Sequence, residues 1–204
     1  SYNAGFIVYI CLFLIAGQGW NLLGGYIGEV SFGHAVFFGI GAYTIALPTG
    51  YGLNIPMPLL IILSMVTSGL FAWAISYPLL RIKGMNFLIG TFGLGIIFLN
   101  VFTSSQLLFA SQGTFLPFVQ PSVLYPVIIG ITIAVVIFVS VLVKSSTGLS
   151  FKAVRDVPEA AQMIGINLYR TKTKALVIGA MITGLAGAMY ALYSMHITPS
   201  ATFD

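Results

Sequence analysis

Of the four acids in 204 residues, only Glu29 falls in a membrane-like stretch, where its neighbours are apolar or small. His34 follows five positions later, with Ser31 between them in GEVSFGH (28–34). An ionisable side chain inside a membrane segment is a functional site by default, because burying its charge there is costly. Glu29 and His34 have the chemistry of a proton relay. At a helix break, however, Glu29 can equally accept backbone N–H groups or face an interfacial cavity, so Glu29, Ser31 and His34 mark either a pathway or a broken helix. No metal is expected, since two ligands with no third nearby make a poor cage. Cys11 is the one cysteine, which excludes an internal disulfide and a thiolate cluster; it reads as a lipid- or core-facing residue. His196, at a span end, reads as interfacial. The glycine runs GIGAY (39–43) and GTFGLG (90–95) follow no strand and lack the lysine of a phosphate loop. No catalytic triad can be assembled, so the chain reads as no enzyme and as holding no cofactor of its own.

A second cluster, RDVPEAAQMIGINLYR (155–170), is polar where the rest is oil. Asp156 can cap a helix, with Pro158 in its first turn and Glu159 at the third helical position. Gly165 is placed to end it in a left-handed conformation. The predicted helix, about 157–164, is roughly 12 Å long at 1.5 Å per residue. Helices this short do not persist alone in water, so it must pack on this protein or on a partner. It reads either as an interfacial helix that stabilises its loop or as a docking element that passes a push from a soluble partner into the membrane.

The elements that position these residues follow from composition. The chain is 58% hydrophobic and 6% charged, with a mean hydropathy of +1.04. Soluble domains carry about 25% charged residues, so an all-α integral membrane protein, a polytopic helical bundle, is the expected class. A crossing needs about 20 apolar residues. Segments 6–26, 57–80, 85–103, 123–143 and 175–195 meet that, while AVFFGIGAYTIAL (35–47) falls short alone. With GEVSFGH before it, it predicts a broken or re-entrant element near 28–47, of the kind membranes tolerate only where protein or a water-filled cavity surrounds the backbone. Six of the eight basic residues lie between Lys144 and Lys174, and the others are Arg81 and Lys83; segments 48–56 and 104–122 have none. That pattern is topology rather than a nucleic-acid face, and it places both basic loops in the cytoplasm. The direction of the first two segments has no charge to fix it. Trp20, Tyr26, Tyr51, Tyr77, Tyr125 and Tyr193 mostly fall near span ends, as an interfacial belt. Ala180, Gly184 and Ala188 recur every four residues with Gly187 beside them, a small-residue face for helix packing. The opening residues do not form a basic region followed by a cleavage site, so no signal peptide is read there.

The run EAAQMIGIN resembles the EAA-type loop of ABC importer permeases, with Glu159, Ala160, Ala161 and Gly165 at the expected spacing. More broadly, NLLGGYIGEVSFGHAVFFGIGAY (21–43), LRIKGMNFLIGTFGLG (80–95) and the stretch 146–193 resemble, in order, the LivM-type permeases of branched-chain amino-acid importers. The resemblance implies one transmembrane permease domain over 1–204, incomplete at its C-terminal end. Within it, 144–174 is a cytoplasmic loop whose short coupling helix rests on an ATPase through Arg155, Asp156, Pro158, Glu159, Ala160, Ala161 and Gly165. Segment 104–122 lacks the glycine-rich polar run that family often has there. The implied partners are cytoplasmic ATPase subunits that hold ATP-Mg, a second homologous permease, a periplasmic or lipid-anchored solute-binding protein and the bilayer, with no nucleic acid. The implied location is a bacterial or archaeal cell membrane. Urea or short amides are an alternative cargo, and an ion-coupled secondary transporter is an alternative mechanism. The latter needs midplane ion ligands and commonly internal repeats; only Glu29 is on offer, and no repeat is evident.

Overall fold

The computed structural model describes residues 2–82, 84–105, 114–116, 119–199 and 202. Helices α1 (Tyr2–Asn21), α2 (His34–Gly50), α3 (Met57–Leu79), α4 (Met85–Ser104) and α5 (Pro121–Lys144) precede two short helices, α6 (Ser146–Asp156) and α7 (Pro158–Met163), and the long α8 (Leu168–Ser194). Two two-residue strands, β1 (Thr114–Phe115) and β2 (His196–Ile197), pair antiparallel. Among the described residues, five helical segments are long and apolar enough to cross a membrane: Ala4–Ile27, α3, α4, α5 and α8. They match the spans expected from hydropathy within a few residues, except that α8 begins seven residues early. Arg170, Lys172 and Lys174 continue its helix in polar form, and Asn167 caps it by accepting a hydrogen bond from the Arg170 amide at 3.0 Å.

Helix α8 is the centre of the bundle. Of its apolar stretch 78% is buried, against 11% for α4 at the periphery, and α1, α2 and α3 each pack along it. Small residues allow this crowding. A Cβ on Gly187 would lie 1.9 Å from the Phe38 carbonyl oxygen, and one on Gly41 would lie 2.0 Å from that of Gly184. Ala180 and Ala188 are fully buried on the same helix. Ser64 and Ser68 of α3 also close against Gly184, and the Ser68 hydroxyl donates to the Phe37 carbonyl of α2 at 3.2 Å.

Two of the membrane elements differ from the sequence reading. Helix α2 runs 17 residues, through Pro48 to Gly50, rather than ending at Leu47. Proline keeps a helical φ, and the Thr49 hydroxyl donates back to the carbonyls of Ile45 and Ala46, which holds the last turn together. Helix α1 does not simply stop. Its backbone widens into a π-helical turn (Leu22–Ile27) that ends at Gly28, where φ is +82°. Residues 28–33 are then irregular, and side chains partner part of their backbone. The Phe32 amide donates to the Thr91 hydroxyl of α4, the Gly33 amide to the Ser31 hydroxyl, and the Trp20 indole to the Ser31 carbonyl at 2.9 Å.

The ends of the bundle differ in charge. Arg81, Lys144, α6, α7 and the start of α8 share one end, where Ser76 of α3 meets Tyr169 of α8 at 3.1 Å; Lys83 lies outside the described residues. At the other end Thr49, Leu53 and Ile55 share a recess with Leu116, next to the β1–β2 pair. Helix α1 therefore runs toward the basic end and α2 away from it, a direction the charge pattern left open.

Candidate functional site

Helix α5 ends at Lys144 and the chain turns at once into α6, which is close-packed at Gly148: a Cβ there would lie 2.3 Å from the Val143 carbonyl oxygen. Phe151 and Val154 bury one face of α6 and leave Lys152 and Arg155 outside. The structure corrects the expected cap. Asp156 is the last residue of α6, not the cap of α7; its carboxylate pairs with Arg155 at 3.0 Å on the surface. The capping position belongs to Val157, whose φ of −145° is extended and whose side chain makes no cap. The cause is Pro158, which drives the residue before it out of the helical region. Asp156 therefore stays within the preceding helix, and Glu159 becomes the second helical residue instead of the third.

The other end of α7 follows the sequence reading. Gly165 adopts φ +87°. Its amide donates to the Gln162 carbonyl and the Ile166 amide to that of Ala161, both at 3.0 Å, which is a Schellman closure. Ala161 faces inward and is buried, Pro158 is half-buried, and Glu159 and Ala160 are exposed. Beyond them Met163 is 89% and Ile164 75% exposed, the most exposed of the large apolar side chains described in this segment.

Both flanks of α7 reach back to the break after α1. Ahead of it, Arg155 donates through Nη1 to the Gly25 carbonyl at 3.1 Å and lays its stem against Gly28. Behind it, Lys172 forms a salt bridge with Glu29, and the two side chains are only 18% and 16% exposed. Glu29 is thus held by a lysine 143 residues away, which no local pattern reveals; its second oxygen, Oε2, has no hydrogen-bond partner among the described residues. Among the described residues no hydrogen bond links Glu29 to His34, and no cluster of three metal ligands exists.

His34 belongs to a different environment. It opens α2 beside Gly179, where a Cβ would approach both His34 Nε2, at 3.5 Å, and the Gly19 carbonyl, at 2.6 Å. The ring stands edge-on to Phe37 and faces a groove of about 580 Å³ between α1, α2 and α8. Its walls are Leu12, Phe13, Phe38 and Tyr190, with Thr183 at its base.

This arrangement, a glycine-packed bundle with a tethered helix pair at its basic end, coincides with a family match. Residues 2–204 match the branched-chain amino acid transport system / permease component family. The chain belongs to that family. It is a family of membrane transport subunits rather than enzymes, so no catalytic residues are expected of this permease chain. The chain is 24% identical over 226 aligned residues to the high-affinity branched-chain amino acid transport system permease protein LivM of Salmonella typhimurium, covering 93% of this chain and 52% of that protein. It is 25% identical over 224 residues to the LivM protein of Escherichia coli K12, with the same coverage. It therefore spans about half the length of the curated relatives it matches. No solved structure matches it.

Proposed function

We propose that this permease chain forms part of the translocation pathway of an ATP-driven importer for branched-chain or related small amino acids. In this reading the basic end is cytoplasmic, as the positive-inside rule requires, and α7 is the coupling helix. The observation that carries the reading is the mounting of α7. It presents Met163 and Ile164 to solvent, while Arg155 and Lys172 on its two flanks hold the same break in α1. Exposed apolar side chains at the end of α7 suit a protein partner, here the cytoplasmic ATPase subunit that holds ATP-Mg. Closure of an ATPase pair would push α7, and the two tethers would carry that push to residues 28–33. The spans then shift between inward- and outward-facing populations, by as much as the ATPase binds one state better.

Residues 28–33 and α2 then make one crossing that begins irregularly, a broken rather than re-entrant element. The capping of its backbone by Trp20, Ser31 and Thr91 supports this. A second, homologous permease supplies the other half of the pathway, and a solute-binding protein delivers cargo to the uncharged face. The names of the curated relatives favour branched-chain amino acids as cargo.

The test is reconstitution of the full-length permease with its candidate partners in proteoliposomes. Leucine uptake that requires ATP and the ATPase is expected; uptake that follows an ion gradient without any ATPase overturns the reading. Glu159→Ala and Gly165→Val are expected to impair ATPase assembly or coupling while membrane insertion stays normal.

A further inference from the structure

We propose that the exposed face of α3 at the basic end is a binding site for an anionic phospholipid, whose phosphate meets Arg81 while its acyl chains lie along Tyr77, Trp73 and Leu70. The importer reading enters only to place this end at the cytoplasmic membrane surface. Leu59, Leu63, Val66, Leu70, Trp73 and Tyr77 are each at least 40% exposed. They recur at alternating intervals of four and three, which sets them on one side of the helix. Arg81 follows Tyr77 by four and continues that side. At 1.5 Å per residue, Leu70, Trp73 and Tyr77 lie within about 17 Å of Arg81. That is close to the depth of one leaflet in a hydrocarbon core about 30 Å thick.

Arg81 is held in place at the head of this face. Its guanidinium lies over the Tyr77 ring, 4.0 Å from the centroid, and donates to the Tyr77 hydroxyl. Tyr169 of α8 stands edge-on to Tyr77 and shares a hydrogen bond with Ser76 at 3.1 Å. Two helices thereby hold one cation beside two exposed phenols. A guanidinium has five N–H donors, so its bond to Tyr77 leaves others for phosphate oxygens, which it grips as a fork. No acid competes for it. Among the described residues the ion pairs are Arg155–Asp156 and Lys172–Glu29. Arg81, Lys144, Lys152, Arg170 and Lys174 therefore pair with no acid there, and such an excess of cations at a membrane surface attracts anionic lipid.

Other occupants fit less well. A soluble subunit docked at this end would reach Arg81, but Trp73 lies eight residues, about 12 Å, further into the bilayer. A helix of a second membrane protein would run the length of the face. Close helix packing in membranes uses small residues, however, as α8 does at Gly184 and Gly187, and this face carries leucine, tryptophan and tyrosine. A zwitterionic lipid would suit the apolar stripe and leave the positive charge unmatched. An anionic lipid meets both.

The experiment uses the full-length permease in detergent, with phosphatidylglycerol and phosphatidylethanolamine supplied in equal amount. Native mass spectrometry is expected to show phosphatidylglycerol retained severalfold over phosphatidylethanolamine. Arg81→Gln is expected to abolish that preference, Arg81→Lys to keep part of it, and Trp73→Ala to weaken retention of both lipids. Lys152→Gln, which removes an exposed cation of α6, is expected to leave the preference intact. A phosphatidylglycerol with a photoreactive acyl chain is expected to label residues 66–81, and to do so severalfold less in Arg81→Gln. Equal retention of the two lipids by the unsubstituted protein overturns the proposal. So does a preference that survives Arg81→Gln, a photolabel that falls outside residues 66–81, or crosslinking of Trp73→Cys to another subunit of the assembled transporter. If Arg81→Gln does not fold, the position of the label in the unsubstituted protein decides. Lipid retention needs no transport, so absence of ATP-driven leucine uptake counts against the importer reading alone.

Discussion

Glu29 shows how a single residue can be conspicuous in sequence while its partner is not. An acid among apolar neighbours announces itself, but Lys172 lies 143 positions on, and only the packing of α8 beside the α1 break brings the two together. Removing one partner should therefore be felt. Glu29→Gln is expected to destabilise the protein by about 3 kcal/mol, at the lower end of the cost of orphaning one member of a buried pair, since both side chains keep some exposure. The exchange Glu29→Lys with Lys172→Glu is expected to recover most of that loss. Thermal unfolding in detergent measures both, and a swap no better than its single parents would falsify the direct pairing. Asp156 carries the opposite lesson. Its residue type suits a cap, but a cap needs extended backbone, and Pro158 gives that conformation to Val157 instead.

At the scale of elements, the spans were legible because length and hydropathy are local properties, and Gly165 was legible because a left-handed stop is a local demand. Helix α6 was not. Its sequence, STGLSFKAVRD, mixes polar and apolar residues and passes for a loop until Phe151 and Val154 find the bundle to pack against. Gly165→Ala is expected to weaken the end of α7 by about 1–2 kcal/mol, the strain of a Cβ in the left-handed region, and to be read as faster proteolysis of the 144–174 loop in intact vesicles. The glycines of the spans divide by environment. Gly187→Ala places a methyl against the Phe38 carbonyl and forces α2 and α8 apart, an overpacking cost of about 1–3 kcal/mol or more. Gly130→Ala meets nothing within 4 Å and is expected to be neutral or slightly stabilising. Equal melting temperatures for these two variants would contradict the packing described.

For the whole molecule, charge alone assigned the later segments to their sides, and the tethers of α7 to the α1 break extend that assignment to the first two. In intact cells a membrane-impermeant thiol reagent is expected to label Leu53→Cys and to spare Met163→Cys until the membrane is opened; the reverse pattern would invert the topology. The central place of α8 also bears on how the chain is made. It is made after α1, α2 and α3, yet all three pack on it. Until it arrives, Gly19 of α1, Gly41 of α2 and Gly69 of α3 lack the α8 residues they close against. Part of the packing surface of the earlier helices therefore stays unfilled during synthesis until α8 joins them, and a chain cut short before residue 168 is expected to be degraded faster in the membrane than the whole chain.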